Sequence, residues 1–537
     1  MNKKSFQNQI VYQIYPKSFL DTDGNGVGDL KGIIKKLPYL KKLGVTTLWL
    51  SPIFKSPMED NGYDVSDYYH VDPTFGTDED LFTLIEKAKE MGIHIVLDLV
   101  VNHTSKEHAW FKEAIKSKDN PYHDYYIFRD HPNGLMSTFG GTAWEYNEPT
   151  NEYYLHLFAV GQPDLNWQNP KVHEEIYKMM NYWLEHGVYG FRMDVIENLG
   201  KEPDKEIVVN GPTLHPILQE MARETFGRFD TITIGETWSS NEVTRLLYTD
   251  PKRKELNMVF LFNDFMQFCT EKYGKWVRKP FSTKLLREAL FKRQLTDPKK
   301  TWDAIFWNNH DLPRALNRYT DLAYRKEAAK FLFTITLFFR GTPFIYQGDE
   351  LGMKNPIFKD ENDYRDIEEI NALRDLQDKG LTKEEALQAI QNTGRDNARI
   401  PFQWNNKKNH GFSTATPWLD VDTENDQFTV KNEMKDPTSV LRYYQKAIRL
   451  WKSKKYRALL KNGSFTPLDE DSEYLFHYLR QYRGRTIEVI GNFSNQEQWS
   501  PKVDGEILLH NYEDQKENAL RPYEVYVVLH KEDPETK

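Results

Sequence analysis

Eight short apolar runs, separated by amphipathic helical patterns, fill the chain up to about residue 350. The runs are Val11–Pro16, Thr46–Pro52, Ile93–His103, Val188–Val195, Thr231–Trp238, Met258–Phe262, Ala304–Asp311 and Pro343–Glu350. Runs of this length and composition are typical of buried strands. Because strands that alternate with helices form parallel sheets covered by those helices, the pattern predicts an α/β fold, a (β/α)₈ TIM barrel. For the second of these helices, Thr77 or Asp78 is available as the N-cap.

Two connections are too long for plain loops, and the pattern changes near the end of the chain. Residues 104–169, between the third and fourth strands, predict an inserted domain B, and residues 352–399 predict a helical excursion. From residue 456 to residue 537, short alternating strands predict a C-terminal antiparallel β-sandwich domain. The barrel domain is then formed by residues 1–103 and 170–455.

Charge, hydropathy and cysteine usage exclude several classes of protein. The net charge is −9 without a long basic run, which argues against nucleic acid as a partner. We find no uninterrupted apolar window long enough for a membrane span and no apolar secretion segment behind the N-terminus. Cys269 is the one cysteine, so an intrachain disulfide is impossible. We therefore expect a cytoplasmic protein.

Polar residues stand at the ends of several predicted strands, where a barrel of this type carries its active site. They are Asp98, His103, Arg192, Asp194, Glu236, His310 and Asp311. Arg192 and Asp194 lie two residues apart on one strand and point the same way, so we expect the arginine to keep the carboxylate ionised. Such a pair fits a nucleophile or a structural ion pair. The convergence of further carboxylates on one rim favours the nucleophile.

Several carboxylates facing one cavity fit glycoside chemistry, in which one attacks the anomeric carbon and a protonated partner serves the leaving oxygen. We predict that Asp194, beside Arg192, is the nucleophile. Glu236 has no basic neighbour in its strand, and burial beside Trp238 would raise its pKa. Glu236 is therefore the predicted acid.

Nine motifs carry a resemblance to a known family. GFRMDVI, IGETW, NNHD, DLVVNHTS and QPDLNW resemble the shared regions of the α-amylase family of glycoside hydrolases. QIYPKSFLDTDGNGVGDLKG, SPMEDNGYDVSDY, FGGTAWEY and GRDNARIPFQW resemble the oligo-1,6-glucosidase and glucan 1,6-α-glucosidase (dextran glucosidase) group within it. The resemblance implies that Asp194 is the nucleophile, Glu236 the acid/base and Asp311 the third carboxylate. It also implies that the reaction retains the anomeric configuration.

The resemblance further implies a set of substrate-binding residues. They are Asp60, Tyr63, His103, Phe158, Arg192, Trp238, Lys275, His310 and Arg399. Tyr63 matches the platform under the reacting glucose, and Asp60 and Arg399 match the pair that binds the non-reducing-end hydroxyls and closes the pocket. A closed pocket implies the removal of one glucose at a time. For Trp238 and Lys275, ordinary packing or a surface charge accounts for the residue equally well.

The predicted function is an exo-acting α-1,6-glucosidase on isomalto-oligosaccharides or dextran. Within the group that the chain resembles, valine after the nucleophile, here Val195, accompanies α-1,6 linkages, and alanine accompanies α-1,4 linkages. The alternatives are a trehalose-6-phosphate hydrolase and an α-1,4-glucosidase. Sucrose isomerisation is disfavoured because residues 263–279 lack the Arg-Leu-Asp-Arg-Asp loop of such enzymes. A non-catalytic binding module is the remaining alternative, although all three carboxylates are present.

The loop DTDGNGVGD presents oxygens at alternate positions. These belong to Asp21, Asp23, Asn25, the Val27 carbonyl and Asp29. Hard cations prefer such ligands, although loops of this composition without a metal are common. The twelfth position is Gly32, so the loop is not an EF-hand. The spacing and the resemblance to the family's calcium loop together predict a structural Ca²⁺, while the chemistry needs no cofactor. We expect a monomer whose partner is its oligosaccharide substrate.

Overall fold

A computed structural model of the chain describes residues 5–420 and 426–530. Its centre is a sheet of eight parallel strands. They are β1 (Val11–Ile14), β2 (Thr47–Leu50), β3 (His94–Leu99), β4 (Gly190–Met193), β5 (Ile232–Thr237), β6 (Met258–Leu261), β7 (Asp303–Ile305) and β8 (Gly341–Tyr346). Each predicted run contains part or all of one strand, so the TIM barrel is confirmed.

Strands that follow each other in the chain are neighbours in the sheet. The hydrogen-bonded order is β6-β5-β4-β3-β2-β1-β8-β7. Between β6 and β7 the barrel is closed by side chains, because the Phe260 ring packs on Phe306 with 4.9 Å between centroids. The register aligns Asp98 with Arg192, and Arg192 with Ile234, two residues before Glu236. These polar residues therefore reach the same end of the barrel.

Helices cover the outside of the barrel. They are α1 (Leu30–Leu43), α2 (Asp78–Glu90), α3 (Pro170–Glu185), α4 (Leu214–Glu224), α5 (Leu246–Thr249), α6 (Thr283–Leu295), α7 (Arg325–Leu337) and α8 (Val440–Lys452). Thr77 caps α2 and forms a capping box with Asp80, so Thr77 is the N-cap. The rings of Phe333 in α7 and Tyr444 in α8 stack at 3.9 Å, which joins the last two helices.

The connection between β3 and α3 contains a small antiparallel sheet of Phe128–Arg129, Trp144–Asn147 and Glu152–Leu155, with a helix at Ala109–Ala114. This sheet has its own apolar core around Trp144 and Leu155. The connection after β8 contains the helices Ile367–Asp378, Lys383–Thr393 and Asp396–Arg399. A hairpin of Cys269–Thr270 and Gly274–Arg278 precedes α6. Short helices lie at Asn263–Met266, Ala315–Tyr319, Val430–Glu433 and Lys454–Asn462, and a further hairpin pairs Phe54–Lys55 with Asp67–Val71.

The C-terminal part is an antiparallel sheet of five strands. They are β9 (Ser464–Leu468), β10 (Leu475–Tyr482), β11 (Arg485–Asn492), β12 (Glu506–His510) and β13 (Val525–His530), in the order β9-β10-β11-β13-β12. One face packs on the barrel, where Phe476 contacts Phe291 of α6. Leu520, from the ribbon of Gln498–Trp499 and Ala519–Leu520, packs with the other face. The antiparallel domain is confirmed, and within the described residues its second layer is this short ribbon.

The predicted domain boundaries, 1–103 with 170–455, 104–169 and 456–537, remain predictions. Their portions at residues 1–4, 421–425 and 531–537 lie outside the described residues. Across the described part of the chain, no helix combines the length and the apolar character that crossing a membrane requires.

Candidate active site

The predicted site residues meet at the carboxyl ends of the barrel strands. β3 contributes Asp98, β4 Arg192 and β5 Glu236, and β1 and β2 add Gln13 and Trp49, which were not predicted. Asp194 directly follows β4, and His310 and Asp311 follow β7. All of these side chains are buried or nearly so. The parallel topology therefore brings together residues that are about 300 positions apart in the chain.

Arg192 is the centre of the carboxylate cluster. Its side chain is fully buried. Nη1 donates to Asp98 Oδ1 and to Asp194 Oδ1, both at 2.8 Å. Nη2 lies 2.7 Å from Glu236 Oε2. Because one planar guanidinium contacts both Asp194 and Glu236, these two carboxylates lie side by side.

The cluster affects the ionisation of Asp194. Burial raises the pKa of the Asp194 carboxyl well above its usual value, the Arg192 guanidinium lowers it, and the carboxylates of Glu236, Asp98 and Asp311 raise it further. The net direction is upward, opposite to the one expected from Arg192 alone. The first reason is burial, and the second is that the single positive charge of Arg192 is divided among three carboxylates.

Glu236 is held by donors from three residues. Its Oε2 accepts the backbone N–H of Val195 at 2.9 Å, and its Oε1 accepts Nε1–H of Trp238 at 2.9 Å. Val195 has φ 36° and ψ 45°, a left-handed conformation that is strained for a β-branched residue. This turn directs the Val195 N–H toward Glu236. The orientation of the predicted acid thus depends on the backbone beside the predicted nucleophile.

His310 and Tyr63 form a second part of the site. Tyr63 Oη hydrogen-bonds Asp98 Oδ2 at 3.0 Å and His310 Nε2 at 2.5 Å, and the two rings stack at 5.3 Å. Gln13 Nε2 lies 2.8 Å from His310 Nδ1. Burial lowers the pKa of His310 well below its usual value, so the imidazole is neutral at neutral pH. His310 therefore acts through hydrogen bonds rather than through a charge.

Arginines and carboxylates form a second charged cluster around Asp311, which we call the arginine wall. Arg395 contacts Asp60 Oδ1 at 3.2 Å and Asp311 Oδ1 at 3.4 Å. Arg399 contacts Asp311 Oδ1 at 3.2 Å and Asp366 Oδ2 at 2.5 Å. The predicted residues Asp60 and Arg399 thus share this wall, but the arginine bonded to Asp60 is Arg395. The Asp311 carboxylate contacts both guanidinium groups.

The other predicted substrate-binding residues lie around this centre. His103 is buried, its Nε2 lies 3.1 Å from the Tyr63 carbonyl, and its ring contacts Phe158 at 5.3 Å. Burial lowers the pKa of His103 to about 4, so it is neutral as well. Trp238 stacks on Phe262 at 3.8 Å. Lys275 pairs with Glu368 at 2.6 Å, and Glu368 also contacts Arg395. Lys275 therefore reaches the arginine wall through Glu368.

Sequence reasoning missed five residues of the site, namely Gln13, Trp49, Arg395, Asp366 and Gln162. Gln162 Nε2 donates to Asp60 Oδ2 at 3.1 Å and lies 3.2 Å from His103 Nε2. Arg395 stands four positions before Arg399 in the motif GRDNARIPFQW, and Gln162 opens QPDLNW. Those motifs were available signals. Asp366 gives only the local signal of an N-cap, which it is for the helix Ile367–Asp378.

The loop between β1 and α1 gathers three of the predicted calcium ligands. Carboxylate oxygens of Asp21, Asp23 and Asp29 lie within 4.8 Å of one another. Asn25 Oδ1 accepts the N–H of Val27 at 2.7 Å, which folds the loop. Gly26 has φ 90°, and a Cβ there would lie 2.1 Å from the Thr416 carbonyl oxygen, so only glycine fits. This donor set of hard oxygens fits a cation such as Ca²⁺.

The arrangement can perform acid-assisted displacement at a sugar. Asp194 and Glu236 contact the same guanidinium group, and neutral His310 lies next to Asp311 in the same cluster. Asp311 keeps a low pKa because, although burial opposes it, His310 and the guanidinium groups of Arg395 and Arg399 favour its ionised form. Asp311 is therefore anionic beside the two catalytic carboxylates, where it can accept hydrogen bonds from sugar hydroxyls.

Comparison with known proteins agrees with this geometry. Residues 13–462 match the family model described as alpha amylase, catalytic domain. The chain is 45% identical to a glucan 1,6-alpha-glucosidase of Streptococcus pneumoniae serotype 4, over 98% of this chain and 99% of that protein. It is 44% identical to an oligo-1,6-glucosidase of Parageobacillus thermoglucosidasius, over 98% and 99% of the two chains.

A solved structure shows the same fold along its whole length. The trehalose-6-phosphate hydrolase of Bacillus licheniformis superposes with a TM-score of 0.91 at 40% identity, covering 98% of this chain and 100% of that chain. The family match spans the barrel with all three predicted catalytic carboxylates. The protein is thus a glycoside hydrolase, and it belongs to the α-amylase family.

Proposed function

We propose that the protein is an exo-acting, retaining α-1,6-glucosidase that removes terminal glucose from isomalto-oligosaccharides or dextran. The observation that carries this proposal is the wall formed by Asp60, Arg395 and Asp311, which lies close enough to the catalytic residues for the Asp311 charge to act on Asp194. We infer that this wall closes the pocket beyond the terminal glucose, so that one sugar is removed at a time. Its carboxylates and guanidinium groups offer acceptors and donors for the hydroxyls at a chain end.

Hydrolysis then proceeds in two displacements. Asp194 attacks the anomeric carbon while Glu236 donates a proton to the departing glycosidic oxygen, which gives a glucosyl–Asp194 ester. Glu236 next removes a proton from water, and the resulting hydroxide attacks the same carbon and releases Asp194. Two inversions retain the α configuration. The Arg192 guanidinium holds Asp194 in position and the Val195 N–H holds Glu236 in position during both steps.

The linkage preference rests on Val195 and on the relatives. Val195 is about 8% exposed. It directly follows Asp194 in the chain, and its backbone N–H donates to Glu236. The two curated relatives at 44–45% identity are named for α-1,6 activity, whereas the structural relative is named for trehalose-6-phosphate. A phosphate needs free cationic groups, and Lys275 is already paired with Glu368. These observations favour the α-1,6-glucan over the phosphorylated disaccharide.

Relative kcat/KM values for isomaltose, maltose and trehalose-6-phosphate test this proposal. We expect isomaltose to be preferred over maltose by roughly tenfold or more, as one differently filled pocket contact allows. Val195→Ala, the matched variant, should lower that ratio because a smaller side chain relieves the exclusion of α-1,4 linkages. Activity confined to trehalose-6-phosphate would overturn the substrate. An unchanged ratio in Val195→Ala would remove Val195 as its determinant.

We also propose that Asp21, Asp23, Asn25, the Val27 carbonyl and Asp29 hold a structural Ca²⁺. The loop packs against residues 412–418, since Asp21 N–H donates to the Phe412 carbonyl at 3.0 Å and Asp21 Oδ2 accepts from Ser413 Oγ at 2.5 Å. A bound cation would neutralise the three clustered carboxylates and so hold these segments together. It would have no part in the chemistry.

Calcium should therefore raise the melting temperature of the wild-type protein, and a chelator should lower it. Binding to the native state stabilises a protein according to the ratio of free ion to dissociation constant, which is about 2.7 kcal/mol at a hundredfold excess. Asp23→Ala tests the site more cleanly than a change at Asp29. Asp23 is exposed, whereas Asp29 also caps α1, so its removal would destabilise the helix as well. The melting temperature of Asp23→Ala should not respond to calcium. A wild-type melting curve that chelator leaves unmoved would refute the site.

The setting that we propose is a monomer in the cytoplasm. The chain has one cysteine, Cys269, and so cannot form the intrachain disulfide that an oxidising compartment would favour. The substrate would then be oligosaccharide that the cell has imported.

A further inference from the structure

Glu197 is a buried carboxylate that has no part in the two displacements. It lies in the short turn Ile196–Asn198, which directly follows Asp194 and Val195, and it is 2% exposed. Burial raises the pKa of the Glu197 carboxyl, although its hydrogen bonds oppose the rise. A carboxylate at such a position costs free energy unless donors or cations compensate its charge. The groups that bind Glu197 therefore indicate what it does.

The donors to Glu197 come from the turn that follows β5. Its Oε1 accepts the backbone N–H of Trp238 at 2.9 Å. The backbone nitrogen of Ser239 lies 3.2 Å from both carboxylate oxygens, and Ser239 Oγ donates to Oε2 at 2.5 Å. In the described part of the chain, every hydrogen bond to this carboxylate comes from these two residues. The Glu197 side chain thus ties the turn after β4 to the turn after β5.

The turn after β5 carries the indole that contacts the proposed acid. Trp238 stands two residues after Glu236, and its Nε1–H donates to Glu236 Oε1 at 2.9 Å. The other oxygen, Oε2, accepts the Val195 N–H at 2.9 Å and lies 2.7 Å from Arg192 Nη2. Because two N–H groups already approach Oε2, the proton that Glu236 would deliver belongs on Oε1. The Trp238 indole therefore orients the oxygen that would take part in proton transfer.

The turn after β4 reaches both oxygens of Glu236. Val195 binds Oε2 directly through its backbone N–H, and Glu197 reaches Oε1 indirectly through Trp238. The Glu197 carbonyl also accepts the N–H of Asn210 at 2.8 Å, and Asn210 Nδ2 donates to Ser239 Oγ at 2.6 Å. Asn210 thus bonds to both turns and holds them together.

We propose that Glu197 is a positioning residue for proton transfer by Glu236. Its carboxylate fixes the backbone of Trp238, the indole of Trp238 fixes Glu236 Oε1, and the acid is thereby aimed at the departing oxygen. This role rests on the proposed glucosidase activity, in which the departing glycosidic oxygen needs a proton. Loss of the Glu197 contacts should therefore slow the first displacement where the leaving group needs a proton and spare it where the leaving group does not.

The values of kcat/KM on isomaltose and on 4-nitrophenyl α-glucoside test this role. For both substrates kcat/KM reports the first displacement, and nitrophenolate leaves without a proton. Glu197→Ala should lower kcat/KM on isomaltose roughly tenfold or more, as a misplaced proton donor does. On the aryl glucoside kcat/KM should stay within roughly threefold of the wild-type value. Glu197→Gln keeps an oxygen for the Trp238 N–H and should recover most of the activity on isomaltose.

Glu433→Ala is the matched control, because Glu433 is also buried and accepts a backbone N–H, from Leu441 at 3.2 Å. It should lower the melting temperature without changing the ratio of the two kcat/KM values. Ser239→Ala is a second variant at an exposed position, where truncation is tolerated, and it removes one donor to Glu197. It should lower kcat/KM on isomaltose roughly threefold and leave the value on the aryl glucoside unchanged.

Equal kcat/KM losses on the two substrates in Glu197→Ala and Ser239→Ala, or no loss on either substrate, would overturn the positioning role. A Glu197→Gln variant as slow on isomaltose as Glu197→Ala would overturn it as well. A wild-type protein that leaves isomaltose intact would instead overturn the proposed function, and this role with it.

Discussion

Asp194→Ala lowers kcat on isomaltose by roughly four orders of magnitude or more, the size of effect seen when a catalytic nucleophile or its partner is removed. Without the carboxylate, the anomeric carbon has no nucleophile and no anion to stabilise the oxocarbenium-like transition state. The fold should persist, since removing a buried carboxyl with a raised pKa also removes a desolvation cost. Steady-state kinetics with the melting temperature checks both parts.

Glu236→Gln is the companion to Asp194→Ala and separates the two roles. The amide cannot donate a proton as an acid, so kcat on isomaltose should fall by a comparable factor. On an aryl glucoside whose leaving group needs no proton, the first displacement should survive, and a burst of the aryl alcohol should precede slow turnover. Asp194→Ala should show no burst on the same substrate. Near-normal turnover in either variant would refute the assignment.

Arg192→Ala should damage stability as well as turnover. The fully buried guanidinium contacts Asp98, Asp194 and Glu236, and its removal leaves these carboxylates without their counter-charge. Removing one partner of a buried ion pair costs about 3–5 kcal/mol in the free energy of unfolding. Turnover should fall with it, because Arg192 also orients both catalytic carboxylates. Thermal unfolding and kcat of the variant measure the two effects.

The stability loss in Arg192→Ala should depend on pH. Burial already raises the pKa of Asp98 to about 6 and that of Asp194 well above its usual value, and Arg192 lowers both. Without Arg192 these pKa values rise further. At pH 5 the carboxyls are then mostly protonated and cost little, whereas toward pH 8 ionisation of the buried groups destabilises the fold. The loss should be smaller at pH 5 than at pH 8. An equal loss at both pH values would contradict the shared-charge description of the cluster.

Arg192→Lys is the matched variant. It keeps a positive charge but has a single nitrogen, which cannot match the forked contacts to three carboxylates. We expect stability between those of the wild type and Arg192→Ala, with a kcat close to that of Arg192→Ala. Full activity in Arg192→Lys would show that charge alone, rather than geometry, is what the site requires.

The barrel could be predicted because its signal is local. Each strand is a short apolar run such as Thr46–Pro52, and the observed strand Thr47–Leu50 differs from it only at the ends. Parallel topology then places the carboxyl ends of all strands on one rim. Asp98, Asp194 and Glu236 could therefore be assigned to one site before any contact between them was known. The short strand β9 gives a weaker local signal, because SFTPL shows no clear alternation and contains a proline.

The arginine wall could not be predicted in detail, because its partners come from distant segments. Asp60 follows β2, Asp311 follows β7, and Arg395 lies in the helical excursion after β8. Whether Arg395 or Arg399 meets Asp60 depends on how that excursion packs, and no local pattern encodes this. The raised pKa of Asp194 could not be predicted for the same reason. The local pair with Arg192 is visible in the sequence, but the competition from Asp98 and Glu236 is a tertiary effect.

Proton NMR of isomaltotriose during the first minutes of hydrolysis tests the central claim most directly, because it shows which bond breaks and with which stereochemistry. With the sugar labelled at its reducing end, we predict unlabelled glucose, released first as the α-anomer, together with labelled isomaltose. The α-anomer would follow from two displacements through Asp194, and the unlabelled glucose from a pocket closed by Asp60, Arg395 and Asp311. Release of the β-anomer, or of labelled glucose with unlabelled isomaltose, would contradict the account.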